Sequence, residues 1–197
     1  MENLLDFGNA KKPFDCFKGL SLSWAGLQNH DLSMKSAFGW MKAQNLEELE
    51  SALKIFDGPV LNFVFATADN HIGYYSLGHI PIRNNPENIY IQDGTKSIND
   101  WVRFISPEET PRVIDPDIGF IVTANNKVAS DNLVGGISLN QVISGRAVKI
   151  TEYINAHIKE KKIFDVEDMK KMQLITHDVY CQKTHESMIK ILETYTG

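Results

Sequence analysis

The sequence has few cysteines and no excess of positive charge. Its 197 residues include two cysteines, and 20 Lys and Arg against 25 Asp and Glu give a formal net charge of −5. Two cysteines permit one bridge but no disulfide framework, so we expect idle thiols rather than a disulfide-stabilised scaffold. No stripe of Lys and Arg gathers on one segment, which argues against a nucleic-acid partner.

Long apolar runs are absent as well. No run approaches the roughly 20 apolar residues that a helix needs to cross a bilayer, so we expect no transmembrane segment. The start of the chain also lacks the apolar core of a secretion signal. Because residues 1–16 are polar and loosely patterned, we interpret them as an N-terminal arm that precedes a domain at residues 17–197.

Regular patterning is weakest in the middle of the chain. Residues 80–116 contain five of the seven prolines and show little periodicity, which predicts a long irregular loop. Phosphate-binding glycine motifs, internal repeats and low-complexity segments are also missing, so nothing in the sequence indicates a nucleotide site or a repeat architecture.

The other segments show strand and helix periodicities. In chain order these predict a strand at 17–24, helices at 31–43 and 45–56, a β-hairpin at 59–83, a strand at 119–126, and two helices that begin near Ser138 and Asp165. The hairpin turn is expected at Asp69, Asn70 and His71, which are residue types that tolerate turn geometry. This order predicts a mixed α/β (α+β) fold with antiparallel pairing and too few strands to complete a sheet alone.

Two helices have specific internal features. In the helix at 31–43, Met34, Phe38 and Met41 fall on one face. The helix at 45–56 begins with Asn45 followed by Glu48, a capping-box spacing, and its apolar stripe is predicted to be buried: Leu46, Leu49, Leu53 and Phe56. In the last predicted helix, the stripe that starts after Asp165 continues to Val179.

One amide side chain interrupts an apolar strand. Asn62 stands in the sequence "VLNFVF", at residues 60–65. An unpaired buried amide costs about 1–3 kcal/mol, so Asn62 has either a hydrogen-bond partner or a chemical task. From the residues alone, the favoured interpretation is an amide that hydrogen-bonds to the backbone of the sheet.

Several short blocks along the chain together indicate a family. These blocks are "SLSWAGL" at 21–27, "NLEELESAL" and "GPVLNFVFA" within 45–66, "IGYYSLGHIPIR" at 72–83, "DPDIGFIVTANN" at 115–126 and "GRAVKITEYI" at 145–154. In this order they resemble the penicillin acylase family of N-terminal-nucleophile amide hydrolases, which includes the acyl-homoserine lactone acylases. The blocks extend over residues 20–192, and they depart from the family pattern at Lys149, where relatives have Arg.

The resemblance implies a fold and two site residues. The fold is part of a four-layer αββα N-terminal-nucleophile hydrolase, an antiparallel sheet with packed helices that is incomplete in this chain. Asn62 matches the Asn that donates its side-chain N–H to the oxyanion of the reaction. Arg83 matches the Arg that borders the active site and positions groups there, a task that suits a guanidinium fork.

The resemblance implies no cofactor. Relatives usually have an acid where this sequence has Thr67, which puts the family's calcium site in doubt. Two other metal sites are conceivable from spacing. His177, Cys181 and His185 offer zinc ligands on the last predicted helix, but the first and third lie about 12 Å apart. Asp115 and Asp117 flank a proline, where turn chemistry is the simpler interpretation. We therefore predict no metal site.

A nucleophile of the family's kind is missing from the sequence. Such hydrolases attack with the side chain of their first residue, Ser, Thr or Cys, and use its α-amino group as the base. This sequence begins with Met1 and Glu2, and Cys16 lies in no processing context. We therefore expect complementary protein chains to complete the fold and to supply the nucleophile.

These observations lead to two functional hypotheses. The first is a portion of a penicillin-acylase-like hydrolase that cleaves a small-molecule linear amide through an acyl-enzyme. The alternative is a non-catalytic, hydrolase-derived structural subunit of a larger assembly. The retained Asn62 and Arg83 favour the first hypothesis, whereas the missing nucleophile favours the alternative or a hydrolase split between chains.

Overall fold

The computed structural model describes residues 19–27, 31–84, 91–127 and 144–196. These residues fall into two compact units, of which the first ends at Gly119 and the second begins at Phe120. The predicted N-terminal arm, residues 1–16, lies outside the described residues, and so does Cys16.

The described part of the first unit combines helices with short strands. Its elements are α1 (Ser33–Lys42), α2 (Leu46–Lys54), β1 (Leu61–Ala66), β2 (Ile72–Leu77), β3 (Pro81–Arg83), β4 (Trp101–Phe104) and β5 (Arg112–Ile114), with 3₁₀ turns at Ala25–Leu27 and Ser97–Asn99. One sheet has the strand order β1-β2-β5, and β3 pairs with β4 in a second sheet. All three strand pairs are antiparallel, so the prediction of a mixed fold with antiparallel pairing is confirmed.

Helix α2 begins at the predicted cap. The Oδ1 atom of Asn45 accepts a hydrogen bond from the backbone N–H of Glu48 at 2.9 Å. The Glu48 carboxylate accepts in return from the backbone N–H of Gln44, also at 2.9 Å, one residue before the position that the capping box predicts. Both bonds satisfy N–H groups at the helix start that have no intrahelical acceptor.

Small residues form the contact between α1 and α2. Ser36 is fully buried, and its hydroxyl donates to the backbone carbonyl of Ala52 at 2.7 Å. A Cβ atom added to Gly39 would lie 2.6 Å from the Cβ atom of Ala52, so the two helices approach closely at this point. The apolar face of α1 is exposed instead: Met34, Phe38 and Met41.

Strands β1 and β2 form the predicted hairpin. Their register runs from Leu61 opposite Leu77 to Ala66 opposite Ile72. Asn70 lies in the connection with a φ of 71°, a left-handed conformation that Asn tolerates better than most residues. The predicted turn is therefore confirmed.

The core of the first unit lies between α2 and one face of the hairpin. Its buried residues are Leu49, Leu53, Tyr75 and Leu77. Phe63 and Phe65 pack against this cluster from β1. Leu53 is 1% exposed and Tyr75 is 2% exposed, so burial of the stripe predicted for α2 is confirmed at Leu49 and Leu53.

The segment at 80–116 contains the short strands β3, β4 and β5 as well as loops. These strands have three or four residues each, which is too short for periodicity to reveal them in the sequence. The loop between β4 and β5 is held by Arg103, whose two guanidinium nitrogens donate to the two carboxylate oxygens of Glu109 at 2.7 and 2.8 Å. This bond and the backbone N–H of Ser106 lower the pKa of Glu109 to about 2.

The described part of the second unit is helical. It contains α3 (Gly145–Lys159), α4 (Val166–Gln173) and α5 (Val179–Thr196). Asp165 caps α4 with a complete capping box, which confirms the predicted helix start near Asp165. The predicted continuation to Val179 is wrong, because α4 ends at Gln173 and Asp178 starts a new helix by accepting from two backbone N–H groups of α5.

Two predicted strands are not observed among the described residues. Residues 120–127 contain no strand, and the Asn126 side chain accepts from the backbone N–H of Ala124 at 2.8 Å. Such local bonds compete with strand pairing. Of the strand predicted at 17–24, the described residues form a single bridge at Ser21. No helix in the described ranges is sufficiently long and apolar to cross a membrane.

Candidate active-site face

Asn62 lies on the face of the hairpin that points away from α2. Strand residues alternate between faces, so Phe63 and Phe65 face the helices, and the Phe63 ring centroid lies 4.6 Å from that of Trp40. Asn62 and Val64 face the other way, and both are exposed. Asn62 is thus not a buried amide in the described structure, although its strand is apolar.

Tyr74 contacts Asn62 across the hairpin. Asn62 is opposite Ser76 and Tyr74 is opposite Val64, so Tyr74 is the diagonal neighbour of Asn62 on the same face, within reach of a long side chain. Its hydroxyl donates to Oδ1 of Asn62 at 2.7 Å. Burial raises the pKa of Tyr74, against a smaller opposing effect of a hydrogen bond with the Ser76 side chain. Tyr74 therefore stays protonated and can donate at neutral pH.

The bond to Tyr74 leaves the other half of the amide unengaged. No acceptor for Nδ2 of Asn62 is found among the described residues, and the side chain is exposed. The interpretation that favoured a backbone partner for Asn62 is wrong, since the partner is the Tyr74 hydroxyl. A neutral N–H donor on a paired strand is a group that can stabilise negative charge on a nearby oxygen.

Arg83 occupies a different sheet from Asn62. It ends β3 opposite Trp101 of β4, and its guanidinium carbon lies 5.6 Å from the Trp101 ring centroid. The Nε atom is buried and has no hydrogen-bond partner in the described part of the chain. Burial lowers the pKa of Arg83. No hydrogen bond in the described part of the chain joins Arg83 to Asn62, so the structure does not bring the two predicted site residues into direct contact.

The hairpin turn is closed by residues whose roles the sequence left open. The Thr67 hydroxyl accepts from the backbone N–H of His71 at 3.1 Å and donates to its carbonyl at 3.3 Å. Nδ1 of His71 lies 2.7 Å from Oδ2 of Asp115, and the other oxygen of Asp115 accepts from the backbone N–H of Ile72 at 2.9 Å. Thr67 and Asp115 thus serve the turn.

The conceivable metal sites do not form in the described residues. His177 precedes α5 rather than lying on it, and its Nε2 atom is 2.6 Å from Oε1 of Gln182. Within the described ranges, no group of three or more His, Cys, Asp or Glu side chains is arranged to hold a metal ion. Asp115 bonds to His71 and Ile72, as described above.

Tyr74 is the site residue that the sequence reasoning missed. A signal was available, because the turn fixes which residues of β1 and β2 are opposite each other. Counting back from the turn places Ser76 opposite Asn62 and Tyr74 diagonal to it. The link between His71 and Asp115 has no comparable signal, since 44 residues separate them.

Comparisons with known proteins agree with the resemblance seen in the sequence. A profile of the family described as "Penicillin amidase" matches residues 8–196. An acyl-homoserine lactone acylase, QuiP, of Pseudomonas fluorescens (strain Pf-5) is 34% identical over 112 residues, which cover 57% of this chain and 14% of QuiP. Penicillin acylase 2 proenzyme of Pseudomonas sp. (strain SE83) is 29% identical over 120 residues, which cover 60% of this chain and 16% of that protein.

A solved structure shares the fold. The penicillin G acylase of Alcaligenes faecalis superimposes with a TM-score of 0.53 at 22% identity, over 71% of this chain and 24% of that chain. The predicted N-terminal-nucleophile hydrolase fold is confirmed by this match. This chain spans less than a fifth of the length of the two curated relatives described above.

Proposed function

Because the chain belongs to the penicillin amidase family, we propose that it is one portion of a linear-amide hydrolase that works through an acyl-enzyme. The chain spans 14% and 16% of the length of two of its relatives, and the proposal places the rest of the enzyme in polypeptide outside this sequence. In this proposal the chain contributes the oxyanion donor and its support.

The exposed amide of Asn62 carries the proposal. It lies on a paired strand, its oxygen accepts from Tyr74, and no acceptor for Nδ2 is found among the described residues. A donor held in this way needs no reorganisation when negative charge develops on the substrate oxygen.

The proposed reaction has two stages. A nucleophile adds to the amide carbonyl carbon, and the carbonyl oxygen, now negative, accepts a hydrogen bond from Nδ2 of Asn62. The tetrahedral intermediate collapses, the protonated amine leaves, and the acyl group stays on the nucleophile as an ester or thioester. Water then adds to this acyl-enzyme through a second oxyanion, and the carboxylic acid is released.

Polypeptide outside this sequence supplies the nucleophile in this proposal. That segment begins with Ser, Thr or Cys, and its own α-amino group serves as the base. Arg83 positions groups at the border of the site in this proposal. Its Nε atom supports this role, because it is buried and has no hydrogen-bond partner among the described residues. The exposed apolar side chains of the hairpin face, such as Val64, suit a surface that another segment covers.

The division of the enzyme is tested by purification of the chain from its source under native conditions. We expect a co-purifying polypeptide whose first residue is Ser, Thr or Cys, and mass spectrometry should show that residue acylated after incubation with a slow amide substrate. The substrate panel includes an acyl-homoserine lactone and a penicillin, after the names of the relatives. If every co-purifying chain has a blocked or bulky first residue, the non-catalytic structural subunit replaces this proposal.

The role of Asn62 is tested by substitution in that assembly. We expect Asn62→Ala to lower kcat by about 10²–10³, the usual effect of removing one oxyanion donor. The thermal midpoint should fall modestly, because the Tyr74 hydroxyl loses its acceptor. Asn62→Asp should lower kcat at least as far, since it replaces the donor with a negative charge. Asn155→Ala, an exposed position in α3, is the matched control. A kcat for Asn62→Ala within twofold of wild type excludes the oxyanion role.

A further inference from the structure

The orientation of the Asn62 amide depends on a buried hydroxyl group. An amide has similar shape in two orientations that differ by about 180° at its last torsion, so packing alone discriminates weakly between its oxygen and its nitrogen. Tyr74 is 5% exposed and its hydroxyl donates to Oδ1 of Asn62 at 2.7 Å. This bond favours the orientation in which Oδ1 faces Tyr74 and Nδ2 faces away.

Tyr74 is the donor in that hydrogen bond. A tyrosine hydroxyl can donate or accept, so Tyr74 alone could also accept from a reversed amide. In the reversed orientation the buried Tyr74 hydroxyl would lose Oδ1 of Asn62 as the acceptor of its own proton, which costs free energy.

We propose that Tyr74 is a positioning residue of the hydrolase, which holds the Asn62 amide so that Nδ2 is presented to the oxyanion and Oδ1 is not. This inference rests on the proposed function, because it assumes that Asn62 is the oxyanion donor. The reversed amide would present an oxygen to a developing negative charge and would oppose the reaction. Tyr74 touches no reacting atom and acts through Asn62 alone.

The neighbouring tyrosine provides a matched control. Tyr75 is also buried, at 2% exposure, but it lies on the opposite face of β2, and its hydroxyl donates to the Glu50 carboxylate. Tyr75→Phe therefore removes a buried hydroxyl from the same strand without contact to Asn62. Any loss caused by general weakening of β2 should appear in Tyr75→Phe as well as in Tyr74→Phe.

The kinetic test is a double-mutant cycle in the complete assembly. We expect Tyr74→Phe to lower kcat about two- to tenfold with KM unchanged within twofold. Equal sampling of both amide orientations halves the productive fraction, and loss of the hydrogen bond also loosens the position of Nδ2. Tyr75→Phe should keep the wild-type kcat. The double variant Tyr74→Phe/Asn62→Ala should be no slower than Asn62→Ala, because Tyr74 has nothing to position once the amide is gone. Independent, multiplying effects of the two substitutions would overturn the inference.

A spectroscopic test separates this inference from the proposed function. With ¹⁵N-asparagine in this chain, the Nδ2 resonances of Asn62 are assigned by their loss in Asn62→Ala. We expect them to shift and to broaden through amide rotation in Tyr74→Phe, and to stay in place in Tyr75→Phe. Unchanged resonances in Tyr74→Phe overturn the positioning role. Shifted resonances together with a wild-type kcat in Asn62→Ala instead mean that the proposed function has failed while the Tyr74 contact holds.

Discussion

Asp115 joins two distant parts of the first unit through its two carboxylate oxygens. One oxygen accepts from the start of β2 and the other bonds to His71, while Asp115 itself has a φ of 45°. Asp is one of the few residues that visit this left-handed region readily. The carboxylate thus fixes the turn end of the hairpin, and Asn62 lies on the same hairpin.

This link makes the hairpin sensitive to pH. The hydrogen bond to Asp115 and the charge of that carboxylate raise the pKa of His71 above its ordinary value of 6.5. Protonated His71 therefore stabilises the fold fully below pH 6.5, and this contribution is lost as pH rises through the folded pKa. The bond to His71 in turn lowers the pKa of Asp115 below 3.8, so its contribution is lost only as pH falls below that value.

We expect Asp115→Asn to lower the pKa of His71 toward 6.5 and to flatten the pH dependence of the thermal midpoint above pH 6.5. The measurements are an NMR titration of the His71 ring and thermal denaturation across neutral pH. Asp117→Asn removes a nearby exposed carboxylate for which no such contact is found in the described part of the chain, and it serves as the control. A His71 pKa that is equal in the two variants contradicts the assignment.

At the scale of residues, the sequence indicated which side chain to single out better than it indicated the surroundings of that side chain. Asn62 stands out in an apolar strand because an amide there needs a partner, so it could be chosen from the sequence. Its exposure could not be predicted, since an apolar strand is compatible with burial of one face or of both. Whether Asn62 and Arg83 perform the roles that the family resemblance implies stays a prediction.

At the scale of elements, α1 and α2 pack closely against each other through small residues. A helix usually buries its large apolar side chains, but α1 buries Ser36 and brings Gly39 against Ala52, while Met34 stays exposed. Close helix approach requires small residues, so the sequence of α1 is explained by this contact rather than by its apolar face.

We therefore expect Gly39→Ala to destabilise the protein. The added methyl group would lie 2.6 Å from Ala52, and overpacking of this kind costs about 1–3 kcal/mol, which exceeds the gain of up to about 1 kcal/mol from better helix propensity. Urea denaturation of the co-expressed assembly, followed by Trp fluorescence, measures the change.

Two further variants test the origin of that loss. Gly94→Ala adds a methyl group where no atom lies within 4 Å, so its effect should stay within about 0.5 kcal/mol. Gly39→Ala combined with Ala52→Gly removes the clashing methyl group and should recover part of the stability. A Gly39→Ala variant as stable as wild type would show that the helices can separate without cost.

The elements also differ in how well the sequence revealed them. Helices with polar caps, such as those at Asn45 and Asp165, were found at their correct starts because a cap is a local signal. The break between α4 and α5 was missed, since the apolar stripe continues through it. Strands β4 and β5 were missed, and β3 was included in the predicted hairpin rather than recognised as a separate strand, because three or four residues acquire strand structure only through their partners.

At the scale of the whole molecule, many large apolar side chains are exposed among the described residues. Ile163 is 93% exposed and Leu174 is 78% exposed in the second unit. In the first unit, β1 and β5 are the edge strands of the described three-stranded sheet. An edge strand has unpaired backbone N–H and C=O groups that can pair with another chain. Exposed apolar area of this extent is typical of surfaces that other polypeptide covers.

We expect the chain expressed alone to aggregate or to bind a hydrophobic dye such as ANS. Co-expression with the segments that its relatives have and this sequence lacks should restore solubility. Size-exclusion chromatography and dye fluorescence measure both outcomes. A soluble monomer that unfolds in one cooperative transition without its companions would contradict the proposal that the enzyme is divided.

The two-sided character of β1 has a consequence for any change in chain length. A single residue inserted between Asn62 and the turn would exchange the faces of every position before it, because side chains alternate along a strand. The amide would then point into the aromatic cluster around Trp40, and Leu61 would take its place outside. Folding and catalysis thus both depend on the same alternation of side chains along β1. A one-residue insertion should abolish both, whereas a two-residue insertion returns Asn62 to its original face.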